Sequence, residues 1–296
     1  MIETVLDIGL PAGIFLVMFW LGLELRLDDF AQVLQRPRLY LMGLFLQSIS
    51  LPVIALAILL LWPAIISDAL AMGVMLLAAA PGGITSNVFT RLARGDTALS
   101  ISLTATMALA SVVTIPVILV FSRHILGIED TGAASVFSLS VGLFAIVALP
   151  VGLGVLCRSR FSGALARVEP AARRIAILLI ASLLLLALLE DVDALRRTLE
   201  DAAFLVVTLN IVTMAVAFLA GKSAGAGRPQ LTAIVLECGL QSTPVAITLV
   251  VLLDLPTEAL SPAAIYGVSM LIMASTFTFI RANAAKQEPQ TGPSSG

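Results

Sequence analysis

The chain has 296 residues, 59% of them hydrophobic and only 12% charged, where soluble domains carry about a quarter charged residues. That composition excludes an ordinary soluble domain and points to an all-α polytopic membrane protein, whose first partner is the lipid bilayer. The net charge of −2 argues against nucleic acid, because binding a phosphate backbone demands Lys and Arg clustered on one face.

A window of about 20 apolar residues per helix predicts nine transmembrane spans, at roughly 5–25, 39–61, 69–91, 98–121, 135–156, 173–190, 202–220, 230–253 and 262–281. Glu3 and Asp7 precede the first span, which therefore lacks the basic start of a cleavable signal peptide and is expected to stay as a helix. The connections carry turn residues, among them Arg36-Pro37-Arg38, Arg94-Gly95-Asp96 and Gly225-Ala226-Gly227-Arg228-Pro229. Residues 1–283 read as one transporter domain, and 284–296 as a polar, disordered tail. His124, the only histidine, falls in a predicted external loop, and Gly221-Lys222-Ser223 reads as a loop rather than a phosphate-binding turn. Cys157 and Cys238 lie far apart in sequence, so neither a disulfide nor a cysteine metal site is expected. Met72, Met75, Met270 and Met273 read as apolar packing.

Lys and Arg concentrate in cytoplasmic loops. With the amino terminus outside the cell and the carboxyl terminus cytoplasmic, 14 of the 17 basic residues fall inside, leaving Arg123, Arg196 and Arg197 outside. Asp68, Glu129, Asp130, Glu190, Asp191, Asp254 and Glu258 then lie outside. Spans 1 and 6 run in opposite directions under this topology, so spans 1–4 and 6–9 can form inverted repeats whose third helices, spans 3 and 8, are both interrupted.

Those interruptions are the chemical centre of the sequence. Span 3 contains Pro81-Gly82-Gly83-Ile84-Thr85-Ser86-Asn87, and span 8 contains Glu237-Cys238-Gly239-Leu240-Gln241-Ser242-Thr243-Pro244. A broken helix survives in hydrocarbon only where protein, ions or a water-filled cavity satisfy its free backbone groups. Glu237 cannot be moved out of the membrane by any choice of span boundary, and such a carboxylate costs at least about 2.5–3.5 kcal/mol unless it is compensated. Ser100 and Thr104, one helical turn apart, share a face of span 4. A carboxylate among hydroxyl and amide oxygens suits an alkali cation rather than zinc. The plainer alternatives are that Ser100 and Thr104 are interhelical hydrogen-bonding groups, and that Glu237 is a protonated structural acid.

Pro81-Gly82-Gly83-x-x-Ser86-Asn87, followed by Leu92-Ala93-Arg94-Gly95-Asp96-x-Ala98-Leu99-Ser100-x-x-x-Thr104, resembles the signature of the bile acid:sodium symporter family. Glu237-x-Gly239-x-Gln241 resembles that family's second crossover segment, and Gln47, five residues before Pro52, its glutamine ahead of the first. The likeness runs from about residue 8 to 282. It implies a panel and a core, two discontinuous helices crossing near the membrane centre, and two sodium ions behind them, in the nine-helix form. Carried over by residue, the first sodium site would use Ser86, Asn87, Ser100, Thr104 and Glu237. The second would use Gln47, Gln241 and Glu237, with backbone carbonyls near Cys238 and Leu240.

The chain departs from the family pattern where substrate would bind. Ser242 stands where many relatives carry an asparagine, Pro244 removes a backbone donor, and Ile84 follows the double glycine where a hydroxyl residue is common. Ile84, Thr85, Ser242 and Thr243 are the expected substrate-binding residues. The implied function is sodium-coupled symport of an organic anion, a bile acid or a smaller carboxylate metabolite, by alternating access in the inner (plasma) membrane. The alternatives are a proton-coupled or exchange carrier titrating at Glu237, a passive channel, and an intramembrane hydrolase. The last lacks a nucleophile and base, or an aspartate pair, at membrane depth, so no enzyme activity is expected.

Overall fold

The computed structural model describes residues 37–62, 66–128, 136–160 and 192–286, together with single residues and short runs between 12 and 23 and residue 178. The expected first span is described only at scattered residues between 12 and 23, and the expected sixth span, apart from residue 178, and residues 287–296 lie outside the described residues. Everything described is helix or connection, with no strand beyond a single isolated bridge.

In chain order the helices are α1 (Pro37–Leu61), α2 (Asp68–Ala79), α3 (Ile84–Leu92), α4 (Thr97–Leu126), α5 (Ser140–Arg160, with earlier turns from Val136), α6 (Val192–Ser223), α7 (Arg228–Gly239), α8 (Thr243–Leu252) and α9 (Ser261–Lys286). Five stretches are long and apolar enough to cross a bilayer: α1, α4, α5, Glu200–Ser223 of α6, and Thr257–Asn283, which is α9 with the short turn before it. The interrupted spans expected at 69–91 and 230–253 are each two shorter helices, α2 with α3 and α7 with α8.

Local chemistry sets the ends. Ser67 Oγ accepts from Leu70 N–H at 3.2 Å to start α2, and Asp96 Oδ1 accepts from Leu99 N–H at 3.1 Å to start α4, each satisfying one orphan donor of a first turn. Helix α4 runs to Gly127, which closes it at φ 68°, a backbone conformation glycine takes without steric cost. The helix therefore extends five residues past its expected end, and Arg123 and His124 lie in its last turns rather than in a loop. Likewise α6 continues through Gly221, Lys222 and Ser223 and ends before Gly225 at φ 74°, so the expected loop there is the final helical turn. Helix α9 reaches Lys286, three residues into the expected tail.

Two proline-associated π turns interrupt the long spans, at Leu46–Ser50 in α1 and Phe144–Ala148 in α5. Pro52 and Pro150 each follow two residues later. Proline has no N–H to give, and the widened turn accommodates the lost bond. In α1 that turn carries Gln47.

The broken helices sit innermost. Every residue from Leu70 to Ala79 in α2 and from Leu231 to Gly239 in α7 is buried. The five long spans instead bury no more than half of their most apolar windows, and expose large side chains such as Phe45, Val113, Phe121 and Phe279. Exposed apolar faces around a core holding the interrupted backbone are what a bilayer demands, because lipid cannot satisfy free N–H and C=O groups. Tyr266, Leu76, Leu77 and Ile115 anchor the main core beside α2.

Candidate functional site

The two breaks meet. Gly83 N–H donates to the Leu240 carbonyl at 3.0 Å, and Ser242 N–H donates to the Pro81 carbonyl at 2.9 Å. These reciprocal bonds form an antiparallel bridge between Gly82 and Gln241. Each interrupted strand of backbone thus satisfies the other where helical bonding stops.

Glu237, at 0% exposure, is the only buried charged side chain among the described residues. Its Oε2 accepts from Ser86 Oγ at 2.6 Å and from Ser100 Oγ at 2.9 Å, and its Oε1 accepts from Thr104 Oγ1 at 2.5 Å. Asn87 Oδ1 stands 2.8 Å from Ser100 Oγ and 3.4 Å from Thr104 Oγ1. Helix α3 supplies Ser86 and Asn87, α4 supplies Ser100 and Thr104, and α7 supplies Glu237, so three elements converge on one carboxylate.

Ser86 Oγ also reaches the Gly83 carbonyl at 2.7 Å, Thr104 Oγ1 the Ser100 carbonyl at 3.0 Å, and Thr90 Oγ1 stands 3.4 Å from Ser100 Oγ. The Gly83 carbonyl accepts from Ser86 N–H as well, at 3.0 Å. The Glu237 carboxylate, the Asn87 amide oxygen and these hydroxyls make an all-oxygen set, the donor chemistry that suits a hard cation. Among the described residues, no group of three or more His, Cys, Asp or Glu gathers that could hold another metal.

Beside the cluster, Gln47 Nε2 donates to the Glu237 backbone carbonyl at 2.9 Å, while Gln47 Oε1 is buried without a partner. Gln241 Nε2 donates to the Cys238 carbonyl at 3.0 Å. The Leu240 carbonyl is engaged by Gly83 N–H, and each of these carbonyls keeps a second lone pair. Gly82 makes this proximity possible: a Cβ there would collide with Glu237 Oε1 and stand 3.0 Å from Gln47 Nε2.

Ile84 and Thr85 are half-buried at the start of α3, and Ser242 and Thr243 are buried at the start of α8. Neither half-helix has a side-chain cap; the first turn of α3 keeps the Ile84 and Thr85 N–H groups, whereas in α8 Thr243 N–H donates to the Gln241 carbonyl at 3.0 Å and Pro244 has no N–H to give. Thr243 Oγ1 faces α9 near Gly267. Thr90, Asn210 and Tyr266 were not anticipated as site residues. Thr90 lies four residues after Ser86, a spacing that puts both on one face. Asn210 Nδ2 donates to the Gly239 carbonyl and to Tyr266 Oη, both at 2.7 Å, bracing the second break from behind. Both cysteines are free thiols, Cys238 buried beside Glu237.

The profile of the Sodium Bile acid symporter family matches residues 11–197. The chain belongs to that family. The sequence is 30% identical over 260 residues to a Bacillus subtilis protein described as an uncharacterized sodium-dependent transporter, YocS, covering 86% of this chain and 76% of that one. A probable sodium/metabolite cotransporter of rice chloroplasts, BASS2, is 25% identical over 80% of this chain and 55% of its own. Mouse sodium/bile acid cotransporter 4 is 27% identical over 53% of this chain and 36% of its own. The chain thus spans about half the length of the rice relative and about a third of the mouse one. Family and relatives are transporters, so this chain is a multi-pass membrane transporter of a sodium-dependent family and not an enzyme.

Proposed function

We propose that the protein is a symporter that couples sodium entry to uptake of a small organic anion across the inner membrane, with the amino terminus outside and the carboxyl terminus cytoplasmic. The observation that carries this reading is the fully buried Glu237 carboxylate ringed by the Ser86, Ser100 and Thr104 hydroxyls, drawn from three helices. One sodium ion binds there, with Asn87 as a further ligand. A second binds between Gln47, Gln241 and Glu237, with the Cys238 and Leu240 carbonyls; the buried, unpartnered Gln47 Oε1 supports this site. Inverted repeats, spans 1–4 and 6–9, account for the reciprocal bridge between the two breaks.

The anion binds across the bridge from the cations, at the first turns of α3 and α8, where Ile84, Thr85, Ser242 and Thr243 stand. Helix N-termini carry partial positive charge and free N–H groups, which favour a carboxylate. Ser242 in place of a longer amide, with Ile84 on the other half-helix, changes the polar lining that the anion meets, so a smaller carboxylate metabolite stands beside a bile acid as the substrate class.

Sodium, but not potassium or choline, raises the unfolding temperature of the detergent-solubilised protein, because a ligand that binds only the folded state stabilises it by mass action. Equal stabilisation by the three cations at matched ionic strength would overturn the sodium assignment. Stabilisation by acid in place of sodium would favour the proton-coupled carrier.

A further inference from the structure

A groove opens between α6, α7 and α9. Met214, Phe218 and Leu219 of α6, Val235 of α7, and Met273 and Phe277 of α9 form its walls, enclosing about 420 Å³. Its one polar lining residue, Thr276, turns its hydroxyl back to the Ile272 carbonyl at 2.9 Å. The rim is apolar and open, with Leu219 and Ile280 both exposed. Arg281 closes one end. Its guanidinium lies over the rings of Phe218 and Phe277, at 5.6 and 5.2 Å from their centres. The Nε and Nη2 of Arg281 are shielded from solvent with no acceptor among the described residues. Arg228 lies alongside, its Nη2 donating to the Arg281 backbone carbonyl at 2.9 Å.

We propose that this groove holds an acyl chain of an anionic phospholipid whose phosphate is gripped by Arg281, with Arg228 adding positive potential. Two shielded guanidinium N–H groups need an acceptor, and a phosphate meets them in the paired geometry that a guanidinium fork favours. The stretch of α9 from Met273 to Ile280 rises about 10 Å. Half the hydrocarbon core is about 15 Å, so the wall fits a chain from a single leaflet. Arg281 stands near the end of the Thr257–Asn283 span, the depth at which a headgroup phosphate lies. A zwitterionic headgroup brings its own cation against two arginines, which selects for a lipid with net negative charge. The occupant also touches Met214, whose Cγ and Sδ crowd the position of any Cβ on Gly239, at 2.7 and 2.8 Å. The groove therefore abuts the second break directly.

The test is lipid retention by the purified full-length protein, read by native mass spectrometry after delipidation and addition of phosphatidylglycerol or phosphatidylcholine. Phosphatidylglycerol is retained about fivefold more strongly than phosphatidylcholine, and excess inorganic phosphate does not displace it. Arg281→Gln lowers retention to the phosphatidylcholine level, whereas Arg281→Lys keeps part of the preference. Ala215→Trp, which adds bulk to the groove from α6, removes retention of both lipids. Equal retention of the two lipids, displacement by inorganic phosphate, or unchanged retention in Arg281→Gln or Ala215→Trp each overturns the proposal. Should Arg281→Gln fail to fold, the lipid preference of Arg281→Lys, read beside the groove-filling variant, decides it: an undiminished preference for phosphatidylglycerol in Arg281→Lys overturns the proposal.

Discussion

Gly82→Ala isolates the geometry of the cation site. Glu237 Oε1 occupies the space a Cβ on Gly82 would need, and a non-bonded carbon contact settles near 3.5–4.0 Å, so the added methyl must drive that oxygen back by about 1 Å. The backbone is not the obstacle, because neither Gly82 nor Gly83 has a positive φ. The bonds to Glu237 from Thr104, Ser86 and Ser100 measure 2.5, 2.6 and 2.9 Å. A displacement of that size breaks at least two, since a contact stretched to about 3.6 Å is no longer a hydrogen bond. Bonds to a charged group contribute about 1.5–3 kcal/mol each, so the variant should be less stable by about 3–6 kcal/mol, and because a cation here would draw on the same displaced oxygens its half-saturating sodium should rise by more than about tenfold. Gly83→Ala is the matched control: its Cβ would meet the Gln241 carbonyl and Thr85 Oγ1 at 3.3 Å each, a contact that yields with a few tenths of an ångström. Its affinity should fall by less than about tenfold. Sodium titrations of thermal unfolding in detergent, with uptake into proteoliposomes, measure both variants. Wild-type half-saturating sodium in Gly82→Ala would refute the placement of the cation beside Glu237.

Glu237→Ala should insert and fold yet lose sodium-driven uptake, because it deletes the one carboxylate shared by both proposed ion sites; wild-type transport would make Glu237 structural. Ser242→Asn should change substrate preference or affinity with sodium stabilisation nearly unchanged, whereas Gln241→Ala should lower both. The two residues are adjacent, and the paired thermal-shift series, with sodium alone and with sodium plus candidate anions, separates them. Loss of sodium stabilisation in Ser242→Asn, with anion binding intact, would reverse the assignment of faces.

The breaks were legible because Pro81, Gly82 and Gly83, and a carboxylate with Gly239 and Pro244, stand out in chain that is otherwise apolar. The convergence of Ser86, Asn87, Ser100 and Thr104 on Glu237 came from motif likeness, with only the Ser100–Thr104 spacing readable from helical periodicity. Helix ends were read less well. A hydropathy window loses α4 where Ser122, Arg123 and His124 appear, although those residues continue the helix and Gly127 ends it. The same holds for Lys222 at the end of α6. What sequence could not supply was tertiary pairing: Asn210 meets Tyr266 across 56 residues, and Gly82 matters because of a side chain from another helix.

The crossing bridge bears on how the site moves. Gly83 and Ser242 each donate to the opposite break, so α3 and α7 are tied by backbone at the point where the cation ligands gather. Asp96 N–H donates to the Pro229 carbonyl at 2.9 Å, and Gln230 Nε2 to Asp96 Oδ2 at 3.2 Å, tying the turn between α3 and α4 to the start of α7. Bonds at both places leave little freedom for α7 to slide past α3 and α4, and a ligand set drawn from those three helices is then carried as a unit. In an alternating-access cycle of the kind proposed here, exposure of the site to either side requires this bundle to move as a body against the remaining helices, rather than the breaks opening and closing in place.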